Sequence, residues 1–192
     1  TFLIRLSRGS GVQGLSSMKN ITKLEKNINL VRPLLDFKKN DLISFAKKIF
    51  GTTFKDPSNN DNKYLRTRIR LLRKSLDKTG IHHDQIIRSI KNLASANETL
   101  TSYISKITKE NVKIAKKEVL INYQNISKET FEIQRRILSN VIKKFVKSYY
   151  PPRSKKIKNV INALSQNKQK KLTLSGCIIE KAGKLLSIKK EA

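Results

Sequence analysis

Apolar residues recur at helical spacing along most of the chain. The clearest stripe repeats every three or four residues, at Leu42, Phe45, Ala46 and Ile49. Gly51 follows this stripe as a helix stop, and Asp36 precedes it as the expected N-cap. The same spacing predicts further helices at 1–7, 64–77, 86–107, 128–148 and 154–165.

Shorter apolar runs predict β-strands. Residues 28–35 are typical of a short strand that leads into a turn at Pro33, and residues 118–123 form a second candidate. Near the end of the chain we expect strands at 171–175, 177–181 and 184–189, with Ala182-Gly183 as a tight turn.

Turn-forming residues divide the chain. Thr79-Gly80 is the strongest boundary, and Pro151-Pro152 follows the helix predicted at 128–148. We therefore expect an α/β segment at 1–79, a long helix at 80–114 and a small α+β region at 115–192.

The net charge of the chain indicates which class of partner to expect. The chain has 42 Lys and Arg residues against 14 Asp and Glu, a net charge of +28. Such a surface attracts polyanions, with nucleic acid as the first candidate and an anionic membrane as the second. A compositional bias toward Lys, Asn and Ile is the alternative explanation. No apolar run reaches the ~18 residues of a membrane span, and we expect no signal peptide.

The first candidate for chemistry is Arg8-Gly9-Ser10-Gly11, which sets a guanidinium beside a flexible turn. Its glycines let backbone N–H groups approach an anion closely. A plain helix stop is the alternative.

The second candidate, Asp56-Pro57-Ser58-Asn59, is a rigid polar turn that carries a carboxylate. The carboxylate could hold a substrate ammonium or help to place a metal. The turn could equally be a surface Asx-turn.

Arginines follow this turn on a predicted helix. Arg66, Arg70 and Arg73 fall on one face, at spacings of four and three. Arg binds phosphate bidentately and keeps its charge when buried. A solvated charged face is the alternative.

The helix predicted at 128–148 separates two sides. The expected packing side consists of Phe131, Gln134, Leu138, Val141, Ile142 and Phe145. The other side is basic and suits a phosphate backbone, through Arg136, Lys143, Lys144 and Lys147. A solvated face is again the alternative.

Metal and complete catalytic motifs are not evident. Cys177 is the one cysteine, so neither an internal disulfide nor a cysteine zinc cluster is possible. His82 and His83 are adjacent and would not face the same way on a helix. We therefore expect no metal site within the chain.

Taken in order, these segments resemble the tRNA(Ile)-lysidine synthase family. Residues 8–15, Arg-Gly-Ser-Gly-Val-Gln-Gly-Leu, are similar to its R-G-S/T-G-x-x-G-L segment. Residues 32–35 match R-P-L-L, residues 56–59 match D-x-S/T-N, and residues 66–70 match R-N-x-I-R, with Thr67 where the family has Asn. Residues 134–136, Gln-Arg-Arg, resemble an element of its C-terminal region, and residues 173–176 resemble the start of its terminal β segment.

The resemblance implies a PP-loop ATP pyrophosphatase. Residues 1–79 would be the later part of an α/β catalytic domain, 80–114 a linking helix and 115–192 a small α+β tRNA-binding region. The family's S-G-G-x-D-S loop and H-x-x-D-D-x-x-E stretch do not occur in these residues. We therefore expect a piece of a longer enzyme, inactive by itself.

The implied reaction uses Mg-ATP to adenylate the C2 oxygen of the wobble cytidine in a CAU-anticodon isoleucine tRNA. The amine of free lysine then displaces AMP to give lysidine. The implied partners are that tRNA, lysine and ATP, with ATP and Mg²⁺ held mainly by the segment that these residues lack. We expect a cytoplasmic protein without a membrane partner, and the oligomeric state stays open, a homodimer being one option.

The resemblance also suggests roles for individual residues. Expected catalytic residues are Arg8, Asp56, Arg66 and Arg70, and expected ATP contacts are Arg8, Gly9, Ser10 and Gly11. Expected RNA contacts are Arg135, Arg136, Lys143, Lys144 and Lys147. Two other classes stay open: another PP-loop tRNA enzyme, which the scarcity of cysteine disfavours, and a basic helical RNA-binding protein without catalysis.

Overall fold

The computed structural model describes residues 1–16, 18–25, 27–54, 56–148, 150–166 and 171–191. It divides the chain into two compact units, Thr1–Asn97 and Glu98–Ala192, called here the N-terminal unit and the C-terminal unit. Both contain helices and strands, so the expected mixture of α and β structure is confirmed. The three-part division into 1–79, 80–114 and 115–192 stays a prediction.

The N-terminal unit consists mainly of helices joined by turns, with one two-stranded hairpin. Its elements in chain order are α1 (Phe2–Leu6), α2 (Val12–Leu15), β1 (Ile21–Glu25), β2 (Ile28–Val31), α3 (Lys39–Phe50), the 3₁₀ helix η1 (Pro57–Asn60) and α4 (Leu65–Lys78). The long helix α5 (His83–Asn111) begins in this unit and ends in the next. Helix α1 packs against both α2 and α4.

Helix ends in this unit follow the local chemistry in most places. Gly51 ends α3 in the left-handed region, with φ of 74°, as a glycine after a helix commonly does. The N-cap expected at Asp36 is wrong, because α3 begins after Lys38. The Asp36 carboxylate instead accepts a hydrogen bond from Asn20 Nδ2 at 2.9 Å, which fixes the chain before β1.

The antiparallel hairpin of β1 and β2 was predicted only in its second strand. Strand β1 mixes Thr and Lys with apolar residues and therefore gave no clear alternation. Arg32 braces the hairpin, since its Nη1 donates to Thr22 Oγ1 at 3.0 Å and to the Lys19 carbonyl at 3.1 Å. The R-P-L-L arginine thus has a local structural role.

The described part of the N-terminal unit contains no fully buried apolar side chain. Among its described side chains, those classed as buried are Thr67 and Asn97, and neither is apolar. Phe45 and Ile49 of the predicted α3 stripe are 62% and 54% exposed, and Phe54 is 98% exposed. The stripe therefore predicted the helix correctly, but only Leu42 and Ala46 of its four residues are half-buried in this unit.

The C-terminal unit contains a five-stranded antiparallel sheet and four helical segments. Its strands are β3 (Val112–Ile114), β4 (Glu118–Asn122), β5 (Lys171–Leu174), β6 (Cys177–Ala182) and β7 (Leu185–Lys190), in the spatial order β3-β4-β7-β6-β5. Besides the end of α5, its helices are α6 (Tyr123–Ile126), α7 (Phe131–Val146) and α8 (Ser154–Ser165).

Most of these elements match the sequence expectations, whereas β3 and α6 were too short for a periodic signal. The turn expected at Ala182-Gly183 lies one residue later, because β6 includes Ala182.

Alternating sheet positions and two helix faces form one apolar cluster. Val119, Ile188 and Ile179 are directly paired across three strands, and all three are fully buried. Buried side chains of α7 and α8 join them, including Ile137, Ile142 and Ile157. Burial of this cluster supplies the main stabilising free energy of the unit.

The sequence assigned Arg136 to the exposed basic side of α7, and this part of the prediction is wrong. Arg136 is only 5% exposed, and its Nε donates to Glu132 Oε1 at 2.6 Å. Arg135 Nη2 donates to the same carboxylate oxygen at 2.7 Å. Phe131, expected on the packing side, is 42% exposed. The buried face of α7 is therefore wider than expected: it includes the predicted Leu138, Val141, Ile142 and Phe145 and also Arg136.

No helix among the described residues is both long and apolar enough to cross a membrane.

The Glu132 carboxylate should make the C-terminal unit sensitive to acid. Burial raises the pKa of Glu132, but hydrogen bonds from Arg135 and Arg136 outweigh it and leave the pKa below its ordinary value of 4.5. A carboxyl group whose pKa is lower in the folded state stabilises the fold at pH values above its pKa in the unfolded state. This contribution is lost as the pH falls below about 4.5. Urea unfolding between pH 3 and pH 7 should show a smaller acid loss in Glu132→Gln than in the wild type.

At neutral pH, Glu132→Gln should lower the free energy of unfolding by roughly 2 kcal/mol, below the value for a fully enclosed pair because Glu132 is partly exposed. Glu180→Gln is the matched control. Its pair with Lys171 spans 3.7 Å between exposed side chains and should be worth under about 0.5 kcal/mol. Equal losses in the two variants would contradict the assignment.

Candidate anion-binding cleft

Helices α1, η1 and α4 enclose a cleft of about 670 Å³ in the N-terminal unit. Its lining residues are Thr1, Ile4, Arg5, Arg8, Ser58, Asn59, Tyr64, Leu65, Arg66, Thr67 and Arg70. Four of these carry guanidinium groups, and no described lining residue is acidic. The cleft is therefore positively charged without an internal counterion.

The arginines reach the cleft from two helices. Arg66 and Arg70 lie one turn apart on α4 and so point to the same side. Arg5 belongs to α1, and Arg8 lies in the turn just after α1. The sequence predictions for Arg8, Arg66 and Arg70 thus converge on one place, although their functional roles stay proposals.

Asn59 fixes the direction of Arg70. Arg70 Nη1 donates to Asn59 Oδ1 at 2.6 Å, which links η1 to α4 across the cleft. The Asn59 amide nitrogen donates to the Asp56 carbonyl at 3.2 Å, so the amide is held at both ends. Asn59 belongs to the D-x-S/T-N match, but nothing in the sequence marks it as a functional residue.

Arg5 and Gly14 hold the turn that carries Arg8. Arg5 Nη1 donates to the Gly14 carbonyl at 2.6 Å, and the Ser10 amide donates to the Arg5 carbonyl at 3.0 Å. A Cβ added at Gly14 would lie 2.7 Å from Ser10 Cβ, so only glycine fits there without a shift. Gly14 belongs to the R-G-S/T-G-x-x-G-L match, but the sequence did not predict this close approach.

Gly9, Ser10 and Gly11 do not line the cleft. Gly9 takes φ of 66°, a left-handed conformation that glycine adopts without strain, in the turn that follows α1. In the described structure these residues shape the turn, and ATP contacts by their backbone stay a prediction.

Asp56 also lies outside the cleft lining. Its Oδ1 accepts a hydrogen bond from the Ser58 backbone amide at 2.9 Å and caps η1. Hydrogen bonds from Ser58 lower the pKa of Asp56, so its carboxyl is ionised at neutral pH. The Asx-turn that the sequence allowed as an alternative is present, and a direct catalytic role for Asp56 stays a prediction.

Thr67, which stands where the resembling motif has Asn, is buried to 5% exposure on α4 and lines the cleft. Arg73, the third arginine expected on that face, has a side chain outside the described part of the structure.

Metal-ligand clusters of three or more His, Cys, Asp or Glu side chains are absent from the described residues. His82 Nδ1 lies 3.7 Å from Asp77 Oδ1, a local contact near the start of α5. The cleft offers cationic and amide groups, which suit phosphate oxygens.

A second basic surface lies on the C-terminal unit. Lys143, Lys144 and Lys147 are exposed at the end of α7. On α8 and just before it, further exposed cations are Arg153, Lys155, Lys156 and Lys158. Arg135 is half-buried against Glu132, so the lysines are the better candidates for contact with a polyanion.

Comparison with known proteins identifies the class of the N-terminal unit first. Residues 1–75 match a family described as a PP-loop domain. The match covers all of the cleft-lining residues, from Thr1 to Arg70.

The full chain is similar to curated tRNA(Ile)-lysidine synthases. That of Wolbachia pipientis wMel is 33% identical over 100% of this chain and 45% of its own length. That of Ruegeria pomeroyi is 29% identical over 100% of this chain and 45% of its own length, and that of Orientia tsutsugamushi is 30% identical over 93% and 42%. The chain is therefore similar to this family of PP-loop proteins over its full length, as the motif order predicted, and it spans about half the length of the curated relatives it matches.

Replacing Gly14 by Ala should disturb the turn that carries Arg8. The new methyl group would meet Ser10 Cβ at 2.7 Å, and overpacking of this kind costs roughly 1–3 kcal/mol. Gly11→Ala is the matched control, because a Cβ there meets nothing within 4 Å and φ is an ordinary −76°. Hydrogen exchange of the amides in residues 8–15 should accelerate in Gly14→Ala alone. Equal exchange in both variants would show that the close approach is unimportant.

Proposed function

We propose that the chain is part of an ATP-dependent ligase that attaches lysine to the wobble cytidine of CAU-anticodon isoleucine tRNA. In the proposed reaction the C2 oxygen of cytidine attacks the α-phosphorus of ATP and pyrophosphate leaves. The amine of lysine then attacks C2 and displaces AMP. The motif order and the similarity of the whole chain to lysidine synthases support this reaction.

The arginine cleft carries the proposal. Negative charge develops on the phosphate oxygens during adenylation, and fixed cations stabilise it most effectively. Arg8, Arg66 and Arg70 line one cleft within the segment that matches a PP-loop domain. We assign these arginines to phosphates of ATP or of the anticodon, and Asp56 to the turn that borders them.

Mg²⁺ accompanies ATP in such a reaction and would neutralise phosphate charge. Because no acidic side chain lines the cleft among the described residues, we assign no Mg²⁺ ligand here. The S-G-G-x-D-S loop that grips pyrophosphate does not occur in the 192 residues, so we expect them to form no lysidine by themselves.

For the C-terminal unit we propose a role in tRNA binding. Lys143, Lys144 and Lys147 are exposed together at one end of α7. Each lysine that contacts a phosphate releases condensed counterions, which favours binding at low salt.

Lysine substitutions in the cleft should reduce catalysis without unfolding the protein. In a full-length enzyme that carries this chain, Arg8→Lys, Arg66→Lys and Arg70→Lys should each lower the rate of lysidine formation by ~10²–10³-fold, since Lys cannot reproduce a bidentate contact. The measurement is lysidine in digested isoleucine tRNA, together with the melting temperature of each variant.

Arg68→Lys is the matched control, because Arg68 is exposed on the same helix and does not line the cleft. Asp56→Asn should keep most of the activity, since Asn caps a helix about as well as Asp. A direct contact of the Asp56 charge with lysine would instead require a large loss. Near-normal rates in all three cleft variants would leave the alternative, a basic RNA-binding protein without catalysis.

Reversing the charge of the α7 lysines should weaken tRNA binding. Lys143→Glu, Lys144→Glu and Lys147→Glu in one variant should reduce affinity. The slope of log K against log salt should become shallower by about 0.9 for each phosphate that the variant no longer neutralises. The control variant changes three other exposed lysines to Glu: Lys113 on β3, and Lys116 and Lys117 in the turn after it. If both variants bind equally weakly, the interaction depends on net charge and not on this surface.

A further inference from the structure

The guanidinium of Arg70 is held in the cleft by an uncharged group. Its Nη1 donates to Asn59 Oδ1 at 2.6 Å, a short charge-assisted hydrogen bond. Both side chains line the cleft and both are exposed, so solvent could reach them and displace either one. An exposed arginine with several rotatable bonds keeps one direction only if something fixes it.

Asn59 is suited to this because its own position is fixed by the turn. Its backbone amide and its side-chain Nδ2 both donate to the Asp56 carbonyl, at 3.1 and 3.2 Å. The Asp56 carboxylate in turn accepts the Ser58 amide at 2.9 Å. Three hydrogen bonds therefore lie within one four-residue turn, and Asn59 Oδ1 links this turn to Arg70.

We propose that Asn59 is a positioning residue that orients Arg70 toward a substrate phosphate while leaving the charge of Arg70 uncompensated. The identity of the substrate rests on the proposed function, whereas the hydrogen-bond relation between Asn59 and Arg70 does not. Asp56 acts through Asn59, by fixing the turn.

The group that accepts the hydrogen bond from Arg70 is an amide and not a carboxylate, and this difference sets the charge of the cleft. A carboxylate at this position would pair bidentately with the guanidinium and compete with a phosphate for the same N–H groups. The cleft-lining residues that the structure describes include no acid, although Asp56 lies only three residues from Asn59. An amide oxygen supplies direction and no charge.

A phosphate oxyanion could come from the nucleotide or from the tRNA backbone. The two sources are separated by titrating the full-length protein with MgATP in one arm and with a CAU-anticodon isoleucine tRNA transcript in the other. Lysidine formation by the wild type is measured on the same preparation and reports on the proposed function independently.

The experiment is a double-mutant cycle of Asn59→Ala and Arg70→Ala. In the wild-type background Asn59→Ala should weaken binding roughly five- to tenfold in one arm, the size expected for a hydrogen bond to a charged group at an exposed position. In the Arg70→Ala background it should have no further effect, because there is nothing left to orient.

Asn59→Asp distinguishes positioning from simple support of the fold. It keeps an acceptor oxygen at the same place, so a structural role would tolerate it. If Asn59 orients Arg70 and leaves its charge uncompensated, the Asn59→Asp variant should bind the anion more weakly than the Asn59→Ala variant. Asn62→Asp is the matched control, because it adds the same charge in the same loop outside the cleft lining.

Equal effects of Asn59→Ala in both backgrounds, or unchanged binding in both arms, would overturn the proposal. So would equal weakening by Asn59→Asp and Asn62→Asp. If Asn59→Ala lowers the melting temperature, the comparison of the two Asp variants still decides. If the cycle shows coupling between Asn59 and Arg70 but the protein forms no lysidine, Asn59 is a positioning residue and the proposed reaction is wrong.

Discussion

Gathering four guanidiniums around one cleft is the constraint on which the N-terminal unit depends. Like charges at about 4 Å repel by about 1 kcal/mol in bulk water and about 4 kcal/mol near a protein surface. No acidic residue of the described cleft lining offsets this repulsion. One backbone carbonyl and one side-chain amide hold two of the four arginines: Gly14 O accepts from Arg5, and Asn59 Oδ1 accepts from Arg70. Both acceptors are uncharged, so the cleft keeps its positive charge.

The arginines of the two units differ in whether an acidic side chain neutralises their charge. In the C-terminal unit, Arg135 and Arg136 share the Glu132 carboxylate, and α7 joins an apolar cluster with α8 and the sheet. A buried guanidinium needs such a partner, because an uncompensated charge away from water is very costly. In the N-terminal unit, Arg66 and Arg70 are exposed and have no acidic partner within the described cleft lining. Neutralised arginines support the fold, and uncompensated ones can bind an anion.

Part of the cleft could be predicted because its residues lie close in sequence to recognisable turn signals. The glycines after α1 and the Asp56-Pro57 turn before α4 mark the places where the chain reverses, and helical spacing puts Arg66 and Arg70 on one side. Asn59 was not selected, since its role appears only when η1 approaches α4. Arg5 was assigned to an amphipathic helix, and its hydrogen bond to Gly14 spans nine residues.

By itself, the sequence determined the secondary structure of the longer elements and the family resemblance, because helical periodicity, capping glycines and motif order are local properties of the chain. It also predicted an anionic partner, through a net charge of +28. Only the tertiary structure decided which cations are available. Arg136 and the α7 lysines lie close together on the helix, yet packing buries Arg136 and leaves Lys143 exposed. The surroundings of a helix position depend on what packs against it, and spacing along one helix carries no information about that.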